Sequence, residues 1–80
     1  MTLADAIRSR IKELCSERNI TINRLSIICG ITQSTLNNIF TREENKPTVS
    51  TIKKICDGLN ITLSEFFNSD YFDSLEQEIK

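Results

Sequence analysis

Between Ile22 and Phe40 the chain carries two apolar trios separated by a glycine, and that arrangement leaves few folds open. Leu25, Ile28 and Cys29 precede Gly30, and Leu36, Ile39 and Phe40 follow it. Spacings of three and four place each trio on one face of a helix. Gly30 can take a positive φ and close the first helix without a Cβ clash. Thr32 can open the second by accepting a bond from one of its orphan N–H groups. Ser26 is small where a second helix would have to come close, and Ile31 can drop into the corner between the two helices. The stretch therefore reads as helix, tight turn, helix.

Small Ser26, Gly30, and apolar residues at 25, 29, 31, 36 and 39 together resemble the helix-turn-helix signature of DNA-binding proteins. The alternative is a plain structural hairpin, which needs some of these residues but not all of them within one short window.

The rest of the chain reads as further helices. Thr2 and Asp5 form a variant capping box for a first helix running to about Arg18, with Ala4, Ile7, Ile11 and Leu14 as its apolar stripe. Arg8, Arg10, Lys12, Glu13 and Glu17 fall on its wet side, and Asn19 can end it in a left-handed conformation. Thr21 is the N-cap expected for helix two, and helix three runs from about Gln33 to Phe40. Thr41–Pro47 is a polar loop, since the residue before a proline is biased away from helix. Thr48 caps helix four, carried by Val49, Ile52, Ile55, Cys56 and Leu59. Gly58 inside that helix costs on the order of 1 kcal/mol against alanine. Asn60 can end it, and the capping box Thr62–Glu65 opens a short fifth helix through Phe67. Phe72, Leu75 and Ile79 suggest a final helix over Tyr71–Lys80. No alternating run survives that would make a strand.

These 80 residues make one domain with a small core, since about 60% of the chain's surface is buried at this size. A large catalytic cleft would be hard to build. No apolar run approaches a membrane span, and Met1–Asp5 lacks the basic-then-apolar layout of a signal peptide. A cytoplasmic location is the expectation. Cys15, Cys29 and Cys56 are odd in number, with no C-x-x-C pair, and histidine is absent. That is a poor set for zinc, so no metal or cofactor is expected and the thiols read as core filling. The absence of a phosphate loop, a G-x-S-x-G motif or a metal cluster argues against an enzyme. RNA is disfavoured for want of a stacking aromatic platform.

A net charge of −1 looks wrong for a nucleic-acid binder, but it is unevenly spread. Residues 1–61 hold nine Lys/Arg against six acids, a balance of +3, whereas residues 62–80 hold only Lys80 against five acids, a balance of −4. The body is mildly basic and the tail acidic. Modest non-specific affinity and a shallow salt dependence are expected.

From Arg10 to Phe67 the chain resembles the Cro/repressor-type, or XRE-like, helix-turn-helix family. The resemblance rests on Arg10-Ile11-Lys12-Glu13-Leu14, the Ile22–Phe40 pattern, and Lys46-Pro47-Thr48. It also rests on Thr51-Ile52-Lys53-Lys54-Ile55-Cys56 and Asn60-Ile61-Thr62-Leu63-Ser64-Glu65-Phe66-Phe67. It implies an all-α, five-helix domain over 1–67, with helices two and three as the helix-turn-helix and 68–80 as an acidic tail. It further implies binding to operator DNA, commonly as a dimer. Two departures matter. The family's usual phosphate-holding glutamine at the start of helix two is Ile22 here. The Asn-Gly usual after helix three is replaced by Thr41-Arg42, in a loop one residue longer. The phosphate clamp must therefore be rebuilt, with Thr21, Asn23, the helix-two N–H groups, Thr41, Arg42, Asn45 and Lys46 as candidates.

With Leu36, Ile39 and Phe40 inward, Ser34, Asn37, Asn38 and Thr41 face out, with Gln33 at the N-terminal edge. No residue from 31 to 41 is charged. Asn and Gln can pair bidentately with adenine N6 and N7, at about 1–3 kcal/mol of discrimination per good pair. Gln33, Ser34, Asn37 and Asn38 are thus the expected base-contacting residues, with Gln33, Asn37 and Asn38 favouring adenines; a merely polar surface is the bland alternative. One such domain contacts few bases, so two copies about 34 Å apart would supply specificity. Phe66, Phe67, Tyr71, Phe72 and Leu75 form an aromatic-apolar cluster that suits a homodimer contact or, equally, a cap on the domain's own core. A transcriptional repressor is the leading function. The alternative is an antitoxin or anti-repressor type of protein-binding module whose acidic tail meets a basic protein partner.

Overall fold

The computed structural model describes residues 1–42 and 46–79. Five helices follow one another: α1 (Leu3–Glu17), α2 (Ile22–Cys29), α3 (Gln33–Thr41), α4 (Val49–Leu59) and α5 (Leu63–Phe67). No strand occurs among the described residues. Every helix starts on a threonine in extended conformation whose side-chain oxygen accepts the N–H three residues on. Thr2, Thr21, Thr32, Thr48 and Thr62 thereby each satisfy one donor that the helix cannot pair internally. The capping boxes at Thr2–Asp5 and Thr62–Glu65 are both complete.

Three of the four junctions use one tripeptide. Asn19, Gly30 and Asn60 sit at φ 54°, 66° and 59°. Each is followed by an isoleucine and then by the capping threonine. The isoleucine N–H reaches back five residues: Ile20 to the Cys15 carbonyl at 3.0 Å, Ile31 to Ser26 at 3.1 Å and Ile61 to Cys56 at 2.9 Å. This is the six-to-one bond of a Schellman ending, and it closes one helix while the threonine opens the next. Ile20, Ile31 and Ile61 are half-buried against the core, so each corner is also a hydrophobic anchor. The fourth junction, between α3 and α4, lacks the tripeptide.

The core gathers Ile7, Ile11, Leu14 and Cys15 from α1, Leu25 from α2, and Leu36 and Ile39 from α3. From α4 and α5 come Ile52, Ile55, Cys56, Leu59 and Phe66. Helix α2 packs most extensively against α4. Gly58 makes that approach possible. A Cβ there would lie 2.5 Å from Cys29 Sγ and 3.0 Å from Cys29 Cα. The helix-propensity cost of this glycine is therefore offset by close packing of the helix behind the turn.

The three cysteines are free thiols, Cys15 and Cys56 fully buried and Cys29 half-buried with its Sγ 3.7 Å from the Ile55 carbonyl. Burial pushes the Cys29 thiol up to about 11, with Cys15 and Cys56 adding to the shift.

The structure departs from sequence expectation in four places. Arg8 and Arg10 are not on a wet face: their side chains are only 13% and 12% exposed. Arg8 donates to the carbonyls of Ile39 (3.2 Å) and Arg42 (3.4 Å) at the end of α3, and pairs with Asp5 at 2.6 Å. Arg10 donates to Phe66 and Glu65 carbonyls at the end of α5, both at 2.7 Å, and pairs with Glu13. More loosely, Arg18 reaches the Leu59 carbonyl at the end of α4 at 3.4 Å. No helix has a basic residue in its own last turn, so arginines on or just after α1 supply from a distance what complements the negative helix ends. Secondly, Ile28 is 39% exposed at the rim of its trio, and Phe40 is half-buried beneath Lys12, whose ammonium lies 5.5 Å from the ring centroid. Thirdly, Thr41 extends α3 rather than opening the loop.

Lastly, no helix forms over residues 71–79. A single 3₁₀ turn spans Asp70–Phe72, and irregular chain follows to Ile79, which is 87% exposed. The spaced apolar residues do not share a docked face, and without tertiary packing so short a helix is not sustained.

Candidate nucleic-acid interface

Helix α3 presents an uncharged outer face. Gln33, Ser34, Thr35, Asn37 and Thr41 are exposed and Asn38 is half-buried, while Leu36 and Ile39 are sealed beneath. The two threonine hydroxyls on this helix are spent locally. Thr35 Oγ1 lies 2.8 Å from the capping Thr32 Oγ1, and Thr41 donates to the Asn37 carbonyl at 2.8 Å. The side-chain amides of Gln33, Asn37 and Asn38 are not engaged in this way by any described residue. They leave two donors and an acceptor each for an external partner.

Asn38 stands at the edge of a cleft of about 210 Å³ lined by Thr35, Ile39, Lys46, Pro47, Thr48 and Thr51. The N-terminus of α4, capped by Thr48, therefore opens beside α3. Sequence reading identified Thr48 only as a cap. Its position next to Asn38 depends on the path of the α3–α4 loop, for which no local signal exists. Such a helix end favours negative groups.

The other expected phosphate contacts are dispersed. Thr21 and Asn23 lie at the N-terminal end of α2, both exposed, Thr21 with its oxygen accepting the Arg24 N–H at 3.0 Å and Asn23 with its carbonyl accepting from the Ser26 hydroxyl. Arg42 follows α3 and is exposed. Lys46 is exposed on the rim of the cleft, with its ammonium 2.7 Å from Glu78 Oε1. Asn45 lies outside the described residues. Exposed Arg24 on α2 adds a cation near Thr21 that the sequence reading did not single out.

The C-terminal cluster turns inward. Phe66 is fully buried, which removes it from any surface contact. Its ring meets Phe67 edge-on at 5.0 Å and Phe72 at 6.1 Å, and Phe67 meets Phe72 at 4.9 Å. Tyr71 donates to Glu13 at 3.4 Å and is half-buried, as are Phe72 and Leu75. Phe67 keeps 37% of its surface.

Helix α3 is thus an uncharged, amide-bearing helix that follows the left-handed Gly30 corner and packs its inner face on the core. Residues 10–70 match the family described as the Cro/C1-type HTH DNA-binding domain. The chain belongs to the Cro/C1-type helix-turn-helix family. Its resemblance to the XRE-like fold, read from sequence, is thereby established, and so is the all-helical class. One relative is the HTH-type transcriptional regulator SutR from Escherichia coli (strain K12), 35% identical over 66 residues. That match covers 82% of the present chain but 36% of SutR, so the chain spans about a third of that relative's length. The crystal structure of the prophage Lp1 protein 11 superposes with a TM-score of 0.83 at 32% identity, covering 94% of this chain and 99% of that one. No helix among the described residues is long and apolar enough to cross a membrane.

Proposed function

We propose that this Cro/C1-type domain reads specific duplex DNA with α3 in the major groove, and that it acts as a homodimeric transcriptional repressor. The observation that carries the reading is the charge-free row of exposed Gln33, Ser34 and Asn37 and half-buried Asn38 on a helix whose inner face is sealed. Amides that no described neighbour occupies can serve adenine edges, while charged side chains would favour phosphate instead. The groups proposed to hold the phosphates are Thr21 and Asn23 at the α2 N-terminus, with Thr41, Arg42, Asn45 and Lys46. The similarity to a named transcriptional regulator supports the regulatory role.

A homodimer would place two α3 helices about 34 Å apart on one face of the duplex. The surface offered for it is the outer edge of Phe67 with Tyr71, Phe72 and Leu75, without Phe66. Sedimentation across a dilution series reads the dimer directly; a mass of one chain at all concentrations, with and without duplex, removes it.

Selection from a random duplex pool tests DNA reading. An adenine-containing motif with twofold symmetry is expected. Asn38→Ala should relax one position of that motif, and an unchanged motif would falsify base reading by Asn38.

A further inference from the structure

The acidic segment after α5 does not trail into solvent. Phe72 anchors it against Phe66 and Phe67, and the Tyr71 hydroxyl ties it to Glu13. From there it runs back past the start of α1, where the Glu76 N–H meets the Met1 carbonyl at 3.4 Å and the Glu76 carboxylate lies 3.7 Å from the Met1 ammonium. It then reaches the α3–α4 loop, where Glu78 pairs with Lys46 at 2.7 Å. Residues 70–79 contain Asp70, Asp73, Glu76 and Glu78 and no basic residue. An acidic strap thus ends on a cation at the rim of the cleft beside Asn38 and the N-terminus of α4.

We propose that Glu78 is a built-in phosphate mimic: it occupies Lys46 in the free protein and is displaced when duplex DNA docks, so the strap restrains DNA affinity from within the chain. The inference rests on the DNA-reading function above. Its physical basis is competition for one ammonium. A carboxylate oxygen at 2.7 Å fills the place a phosphate oxygen would take. The aromatic anchor holds the competitor close, so its effective concentration is high without tight binding. Both partners are about half exposed, 48% and 59%, and pairs of this kind exchange readily. The restraint is accordingly mild and reversible, worth roughly 2- to 5-fold in affinity by the usual strength of exposed ion pairs.

The test is a double-mutant cycle on the full chain, read as affinity for a random-sequence duplex at low ionic strength. Glu78→Gln should raise affinity roughly 2- to 5-fold. In a Lys46→Gln background the same change should yield a clearly smaller gain, because only the general effect of removing one negative charge remains. Equal gains in the two backgrounds show that Glu78 acts through net charge and overturn the proposal. No gain in the wild-type background also overturns it, while DNA reading stands if the wild-type protein still selects a motif. Failure of both the wild-type protein and Glu78→Gln to bind any duplex removes the DNA-reading function and this restraint together.

Discussion

Helices α1 and α3 both show a polar face in sequence, and they use it in opposite ways. On α1 two charged residues turn inward while Lys12 and Glu17 stay exposed: Arg8 and Arg10 are nearly covered and spend their donors on carbonyl ends of α3 and α5. On α3 the polar residues carry no charge, and the amides at 33, 37 and 38 stay available to an outside partner. The contrast separates two properties that are easily merged. Positive charge in a DNA-binding chain is not a map of its DNA contacts, because a guanidinium is also a strong stitch for helix ends. A neutral amide is a poor stitch for such ends, but it suits a base edge.

Variants can break or sharpen that division. The largest effect is expected for Arg10→Ala. It removes the side-chain donor to the Phe66 carbonyl, leaves the Glu65 carbonyl only the Asn68 N–H and Glu13 only the Tyr71 hydroxyl, and should lower unfolding free energy by about 2–3 kcal/mol. For a domain of this size that is a fall in Tm of roughly 10–20 °C, read by calorimetry. Below the transition the motif selected from a duplex pool should be unchanged. A shifted motif with an intact Tm would reverse the roles assigned to the two helices.

Asn37→Ala is the complementary case. Stability should stay within about 0.5 kcal/mol. Discrimination between the selected duplex and a scrambled one should drop roughly 5- to 100-fold, the equivalent of about 1–3 kcal/mol. Equal discrimination by variant and wild type would reduce the α3 face to an ordinary solvated surface.

Gly58→Ala probes the brace behind the turn rather than either face. The added methyl meets Cys29 Sγ and Cα. An overpacking cost of about 1–3 kcal/mol is partly offset by the roughly 1 kcal/mol helix-propensity gain, so chemical denaturation should show a net loss of about 1 kcal/mol. A more stable variant would mean that α2 and α4 can separate freely.

The mildest effect is alkaline. Cys29 has its folded value raised from 9.0 to about 11 by burial. Its contribution to stability is therefore intact below pH 9 and is lost as pH rises through 11. Denaturant midpoints should decline over that window, and Cys29→Ala should decline less. Equal slopes would place the alkaline sensitivity elsewhere.

Much of the architecture was legible residue by residue. The five threonine caps, the left-handed Asn19, Gly30 and Asn60, and the buried faces at Leu25, Leu36 and Ile39 all follow from interactions spanning six residues or fewer. The repeated junction tripeptide was present in the letters too, at 19–21, 30–32 and 60–62, although it stands out as one device only once the three endings superimpose in their hydrogen bonds. Within the candidate site, the exposure of Gln33, Ser34 and Asn37 was likewise implied by helical phase. The adjacency of Thr48 and Thr51 to Asn38 was not, because it depends on a loop that local rules do not fix.

By itself, then, the sequence determined where helices begin, end and hide their apolar stripes, since caps, periodicity and backbone handedness are decided by near neighbours. Tertiary structure alone decided which charges work inside. The reach of Arg10 to Phe66 spans 56 positions, and that of Arg8 to Ile39 spans 31. It also decided that Gly58 meets Cys29, that Phe66 faces inward, and that the segment after α5 returns to Lys46 rather than coiling into a sixth helix. Such outcomes depend on which distant groups are left unpaired once the helices are packed, and an unpaired carbonyl or cation recruits its partner through space, not along the chain.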